Sequence, residues 1–165
     1  MNLVTAPGGS WPLVHGERAA LAADLASLDG EQWATPSLCA GLTVREMLAH
    51  LTAGARLNSV RWLAGVIRCR FDFEKQVAMR LAEQLGASPA ETLERFRSTV
   101  TSTTKPPLPV LAMLGEAVVH AADIRRPLVS GPTLALIMAM TGRAVYCGDL
   151  EGEGAAILRG RCDAR

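Results

Sequence analysis

The stretch "TVREMLAHLTAGAR" (residues 43–56) predicts a helix whose beginning and buried side are both visible in the residues. Thr43 and Glu46 form a T-x-x-E capping box, in which each side chain closes the free backbone N–H of the other residue. Apolar residues then recur at helical spacing. The predicted buried positions are Val44, Met47, Leu48, Leu51 and Ala55. The opposite side, which includes Thr52, is expected to face water.

The rest of the chain also predicts helices. Residues 11–28 place leucines at helical intervals, Asp72 begins a helix that ends near Gly86, and "SPAE" (88–91) is a second capping box. A helix over 108–125 follows a run of prolines. "GPTLALIMAM" then predicts one buried helix, and "GEGAAILRGR" a short terminal one. Because no segment is typical of a strand, the expected fold is an all-α bundle built on about four long helices.

Length and composition limit the organisation and the function. A chain of 165 residues is expected to form a single domain over 1–165, with a bundle core over about 11–128 and a C-terminal extension over 129–165. A net charge of +1 and an aromatic content of 4% argue against nucleic-acid binding.

The location of the protein is predicted from similar evidence. The N-terminus lacks the pattern of a signal peptide, and no apolar run approaches the roughly 18–20 residues of a membrane span. The protein is therefore expected to be cytoplasmic, with no membrane partner. Its four cysteines form no C-x-x-C pair and are expected to be reduced. Cys39, in the loop before the Thr43 helix, is interpreted as a packing residue.

The segment "LGEAVVHAADIRRP" (114–127) contains the first candidate site residues. Glu116 is the only charged residue between Pro106 and Ala122, and His120 lies four residues later. A helix that is apolar nearly all round is expected to be buried on most sides. A lone ionised carboxylate there must be paired, protonated or bound to a metal. Side chains at i and i+4 lie over one face, so both can reach one divalent ion.

A third ligand must come from another segment, and the chain has two further histidines. His50 lies at the border of the apolar stripe of its helix, and Gly54 one turn later leaves room above the ring. His15 is expected to be half exposed. The predicted metal site is therefore His50, Glu116 and His120, with a fourth position open to water or substrate. The alternative is that Glu116 hydrogen-bonds His120, or pairs with an arginine, without any metal.

Asp123 follows His120 on the same face of the helix and could orient a ligand through a hydrogen bond. The alternative for Asp123 is a salt bridge to Arg125 or Arg126. Zinc is the expected ion, but the sequence does not separate it from nickel, iron or manganese, because a mixed nitrogen–oxygen site accepts each of them.

Two motifs in order resemble a known family. "SLCAGLTVREMLAHL" (37–51) followed by "LGEAVVHAADIRRPL" (114–128) is similar to the N-terminal domain of the mycothiol-dependent maleylpyruvate isomerases, within the DinB/YfiT-like superfamily of metal-binding bundles. The resemblance implies a DinB-like four-helix bundle with short extra C-terminal helices. It also implies metal ligands at His50, Glu116 and His120.

The sequence departs from the family pattern in places. Leu42 replaces a common tryptophan, and Glu46 replaces the usual aspartate. Relatives carry a further stretch between "RRPL" and "GPTLAL" that is nearly absent here. Either this chain has lost it, or residues are missing from the sequence after Leu128.

The resemblance also implies a reaction. A metal-activated small thiol, mycothiol in actinobacteria, would attack an electrophilic carbon of a small substrate and give S-transfer or cis–trans isomerisation. A homodimer is expected, since DinB-like proteins are often dimers. Two alternatives remain open: a catalytically silent metal-binding module that acts as a sensor or in dimeric interaction, and a plain helical scaffold. The absence of an H-E-x-x-H motif argues against a metallohydrolase.

Overall fold

The computed structural model describes residues 9–39, 41–125 and 131–163, and over these ranges the chain is helical with no strand. The elements are α1 (Trp11–Asp24), a 3₁₀ turn (Leu25–Ser27), α2 (Gly30–Ala34), α3 (Val44–Arg56), α4 (Ser59–Arg68), α5 (Phe73–Gln84), α6 (Pro89–Arg97), α7 (Val110–Arg125), α8 (Thr133–Met140), a second 3₁₀ turn (Ala144–Asp149) and α9 (Glu153–Asp163). The all-α prediction is confirmed, and the arrangement is consistent with a DinB-like bundle.

The chain groups into two compact units that divide between Ile124 and Arg125. The single domain over 1–165 stays a prediction, as does the extension that begins at residue 129. The suggested missing segment after Leu128 lies outside the described residues. None of the described helices combines the length and the apolarity that crossing a bilayer requires.

Helix α3 is central in the first unit, and its capping box forms as predicted. The Thr43 N–H donates to Glu46 Oε2 at 2.8 Å, and the Glu46 N–H donates to Thr43 Oγ1 at 3.3 Å. The helix packs against α2, α5 and α6. Its buried side joins a core drawn from α1, α2, α6 and α7, in which the largest side chains are Leu21, Trp33 and Phe96.

One prediction for α3 is wrong, because Thr52 is fully buried. Its hydroxyl donates to the Leu48 carbonyl oxygen at 2.8 Å, one turn earlier. This bond satisfies the hydroxyl inside the helix, so its burial does not leave an unpaired polar group.

Helix α4 was not predicted. Asn58 caps it, since its side chain accepts the Arg61 N–H at 2.9 Å. The side chains of Gln76 and Arg80 in α5 donate hydrogen bonds to carbonyl oxygens of α4. Its outer side carries exposed apolar residues, Val60, Leu63 and Ile67, so apolar spacing alone does not mark a core helix here.

The second unit is built from α8, α9 and the 3₁₀ turn between them. Only Ala135 and Ala139 of α8 are buried, against Cys147 and Leu150. The prediction of a buried helix at "GPTLALIMAM" is therefore wrong. The helix is apolar all round, but it packs within its unit through the side that carries its small residues, which leaves Leu134, Ile137 and Met140 exposed.

Candidate metal centre

Helices α3 and α7 bring three predicted site residues together. His50 comes from α3, while Glu116 and His120 come from α7, one turn apart. Glu116 Oε2 lies 3.7 Å from His50 Nε2 and 3.3 Å from His120 Nε2. One ligand atom from each of the three residues lies within 4.8 Å of the other two.

The spacing of these atoms fits a bound divalent ion. Two atoms that bind an ion at about 2.0–2.1 Å in a tetrahedral arrangement lie roughly 3.4 Å apart. The two carboxylate–imidazole distances, 3.3 and 3.7 Å, are close to this value. The two imidazole rings lie perpendicular to each other with their centroids 5.3 Å apart, so they approach the carboxylate from different directions. Three protein ligands would leave one position open.

The predicted burial of Glu116 is wrong, because its side chain is 51% exposed. Apolar residues do cover several faces of α7, but only one side meets the core, through Met113, Ala117, Ala121 and Ile124. The carboxylate lies outside that side. The cost of burying a charge is therefore no reason for Glu116 to have a partner. What indicates a metal site is the convergence of the three side chains.

The imidazoles favour the ionised form of the Glu116 carboxylate. The contact with His50, assisted by His120, lowers the pKa of Glu116 against the opposing effect of its partial burial. Glu116 is therefore a carboxylate at neutral pH, which is the form that binds a cation.

Asp123 lies behind His120. One of its carboxylate oxygens, Oδ2, is 3.0 Å from His120 Nδ1, on the edge of the ring away from Glu116. A carboxylate there favours a proton on Nδ1 and leaves the lone pair of Nε2 available to a cation. The backbone oxygen of Asp123 accepts the Leu38 N–H at 3.1 Å, which attaches the loop before α3 to the end of α7. Arg126, one of the alternative partners, lies outside the described residues.

The third histidine lies away from the site. His15 Nε2 is 3.3 Å from the Ser102 carbonyl oxygen, and its ring stacks on Trp11. Cys39 packs, partly buried, against the core of the first unit. Neither residue is among the three that converge.

An apolar cleft that the sequence analysis missed begins at the site. Its volume is about 140 Å³, and its lining residues come from α3, α4, α5 and the connection between α3 and α4: His50, Ala53, Gly54, Leu57, Trp62, Phe73, Gln76, Val77 and Arg80. The signal that could have located it is the Asn58 cap of α4, since one wall depends on that helix.

Comparison with known proteins agrees with the resemblance in the sequence. The family described as the mycothiol maleylpyruvate isomerase N-terminal domain matches residues 14–108, more than half of the chain. The match includes His50 and ends before Glu116 and His120. No curated protein and no solved structure matches the chain significantly. On the extent of the family match, the chain belongs to the mycothiol maleylpyruvate isomerase N-terminal domain family.

Proposed function

We propose that this protein is a metal-dependent enzyme that uses mycothiol as its thiol cosubstrate, in a transfer or isomerisation reaction on a small electrophile. The observation that carries the proposal is the convergence of His50, Glu116 and His120, which place three ligand atoms within 4.8 Å of one another. His50 and Glu116 are 66 positions apart in the sequence. Zinc is the favoured ion, and nickel, iron and manganese fit the same donors.

A divalent ion at this site would lower the pKa of a bound thiol and so supply a thiolate at neutral pH. Three features of the chain favour the binding of the ion and of the thiol. Glu116 supplies negative charge, since its carboxylate stays ionised beside the imidazoles. Asp123 holds the His120 ring with Nε2 toward the ligand cluster. The exposure of Glu116 leaves the open side of the cluster accessible to a thiol from solution.

The thiolate then reacts in one of two ways. In transfer, its sulfur forms a bond to the electrophilic carbon, and the bond from that carbon to the leaving group breaks with its electron pair. In isomerisation, the sulfur adds to one carbon of a carbon–carbon double bond conjugated to a carbonyl group, the π electron pair moves onto that carbonyl as an enolate, and the remaining single bond rotates. The sulfur is then expelled as the double bond forms again.

A cytoplasmic location and a homodimer remain part of the proposal.

Elemental analysis of the purified protein tests the metal site. We expect roughly one divalent ion per chain in the wild type and close to none in His50→Ala or Glu116→Gln, since each removes one of three ligands. His15→Ala is the matched control, because it removes a histidine that lies outside the cluster. Equal metal content in all four proteins would overturn the site, and so would a wild type that takes up no metal.

A second measurement separates an enzyme from a silent metal-binding module. Mycothiol is expected to raise the melting temperature of the metal-loaded wild type and to leave that of Glu116→Gln unchanged, because ligands stabilise the state that binds them. A metal-loaded protein that shows no response to mycothiol would instead favour the silent module.

A further inference from the structure

The apolar cleft between α3, α4 and α5 shares a residue with the candidate metal centre. His50 is both a lining residue of the cleft and one of the three clustered ligands. Gly54, one turn later in α3, also lines the cleft. A molecule in the cleft would therefore lie next to the position where a thiol is activated.

Away from His50, the cleft offers little to a charged ligand, because the polar side chains of Gln76 and Arg80 already have hydrogen-bond partners. Gln76 Nε2 donates to the Trp62 carbonyl oxygen at 3.0 Å. The Arg80 guanidinium donates to both carboxylate oxygens of Glu83, at 2.9 and 3.0 Å, and to the Arg61 carbonyl oxygen at 2.7 Å. The N–H on Nε has no acceptor among the described residues, but this nitrogen is shielded from solvent and presents no surface to a ligand.

Apart from the His50 imidazole and Gly54, the rest of the lining comes from alanine, leucine and valine and from the aromatic side chains of Trp62 and Phe73, so it is mostly apolar. Water in such a place has few hydrogen-bond partners, so an apolar group displaces it favourably. The volume, about 140 Å³, is close to that of an apolar cavity of about 150 Å³ that accommodates benzene.

We infer that this cleft receives an uncharged apolar group of about the size of a benzene ring, carried by the electrophile. This inference rests on the proposed function and adds the substrate class: an apolar electrophile rather than a dicarboxylate. A dicarboxylate in the cleft would bring charge against hydrocarbon, and the Arg80 guanidinium already pairs with the Glu83 carboxylate, which it shares with Arg61.

The test uses the metal-loaded full chain and the inert probe 4-fluorobenzyl alcohol, with binding followed by ¹⁹F NMR. Val77 lies at the rim of the cleft and is 45% exposed, so Val77→Trp fills the cleft at a position that tolerates a large side chain. Val60→Trp is the control, since Val60 is 77% exposed and is not a lining residue of the cleft. We expect Val77→Trp to weaken probe binding by about tenfold or more, and Val60→Trp to leave it unchanged. Maleate should not displace the probe.

Three results would overturn the inference: no saturable binding to the wild type, equal binding to both tryptophan variants, or displacement of the probe by maleate at comparable concentration. Metal content measured on the same samples keeps this test separate from that of the proposed function. If metal is bound and the probe is not, only the substrate class is wrong. If the probe binds and the protein holds no metal, the proposed function is wrong. The group that binds in the cleft then does not belong to a substrate that reacts with a metal-activated thiol.

Discussion

At the scale of single residues, position within a helix explains most of the candidate site. Glu116 Oε2 and His120 Nε2 lie 3.3 Å apart because the two residues are one turn apart on α7. Asp123 reaches the far edge of the His120 ring because it lies three residues further along the same helix. These relations are local, so the sequence alone was enough to predict them.

Asp123→Asn tests the support that Asp123 gives to His120. The substitution keeps the size of the side chain and removes its charge, so the His120 ring loses the partner that favours its metal-binding tautomer. Metal affinity, measured by competition with a chelator, is expected to fall by about 10–100-fold. Asp163→Asn in α9 is the control. An affinity equal to that of the wild type would show that Asp123 does not act through the metal ligand.

The pH dependence of stability tests the capping box of α3. The Thr43 backbone N–H, followed by its hydroxyl, lowers the pKa of the Glu46 carboxyl. A lowered folded-state pKa adds stability above the ordinary pKa of glutamate, about 4.3, and this stability is lost as the pH falls through the folded-state pKa.

We therefore expect the wild type to be more stable than Glu46→Gln at pH 7, by roughly 0.3–1 kcal/mol, since an acid in the first turn also suits the helix dipole. Thermal melts from pH 7 down to about pH 3 should show this advantage shrinking, since the protonated acid resembles the amide. A constant difference across that range would contradict the assignment.

At the scale of secondary-structure elements, caps decide where helices begin, while close contacts decide how they pack. Asn58, Asp72 and Ser88 each accept a backbone N–H from the first turn of their helix. The contact of α4 with α5 depends instead on Gly65, where an added Cβ would lie 2.6 Å from Gln76 Nε2 and 3.0 Å from Arg80 Nη2.

Gly65→Ala is expected to destabilise the protein by up to roughly 1 kcal/mol, because the methyl group displaces two side chains that hydrogen-bond to α4 and the better helix propensity of alanine offsets only part of that loss. Urea denaturation measures the change. Gly54→Ala is the matched control: its Cβ would meet nothing nearer than Met113 Cε at 3.9 Å, so better helix propensity should raise stability by up to about 1 kcal/mol. Equal destabilisation by both substitutions would show that the α4–α5 contact is not special.

At the scale of the whole molecule, the two compact units have separate cores. The first is formed from helices α1 to α3, α6 and α7, and it supports the candidate metal centre. The second is a small cluster in which α8 and α9 surround Cys147. The Cys162 thiol belongs to this cluster and donates to the Ala139 carbonyl oxygen at 3.2 Å.

Alkylation tests the core of the second unit. Burial, followed by the neighbouring Cys162 thiol, raises the pKa of Cys147. Cys147 is therefore expected to stay a protonated, shielded thiol at pH 8 and to react with iodoacetamide much more slowly than Cys39, which is only partly buried. Peptide mass spectrometry after short exposures measures both rates. The difference should vanish in denaturant, and equal rates in the native protein would contradict the packing.

The sequence by itself determined the helical class, the capping box of α3 and the pairing of Glu116 with His120, because hydrogen bonds and side-chain spacing within one helix are set by residues a few positions apart. The capping box predicted at "SPAE" (88–91) forms only in part, because the Glu91 carboxylate accepts the Ala87 N–H instead of that of Ser88. The choice of His50 over His15 also followed from local pattern and the family resemblance. Only the tertiary structure decided that His50 meets the other two, that Glu116 is half exposed, that Thr52 is buried and that α4 closes a cleft beside the site. Those features depend on how the helices pack against one another, and that packing is set by many side chains that are distant in sequence.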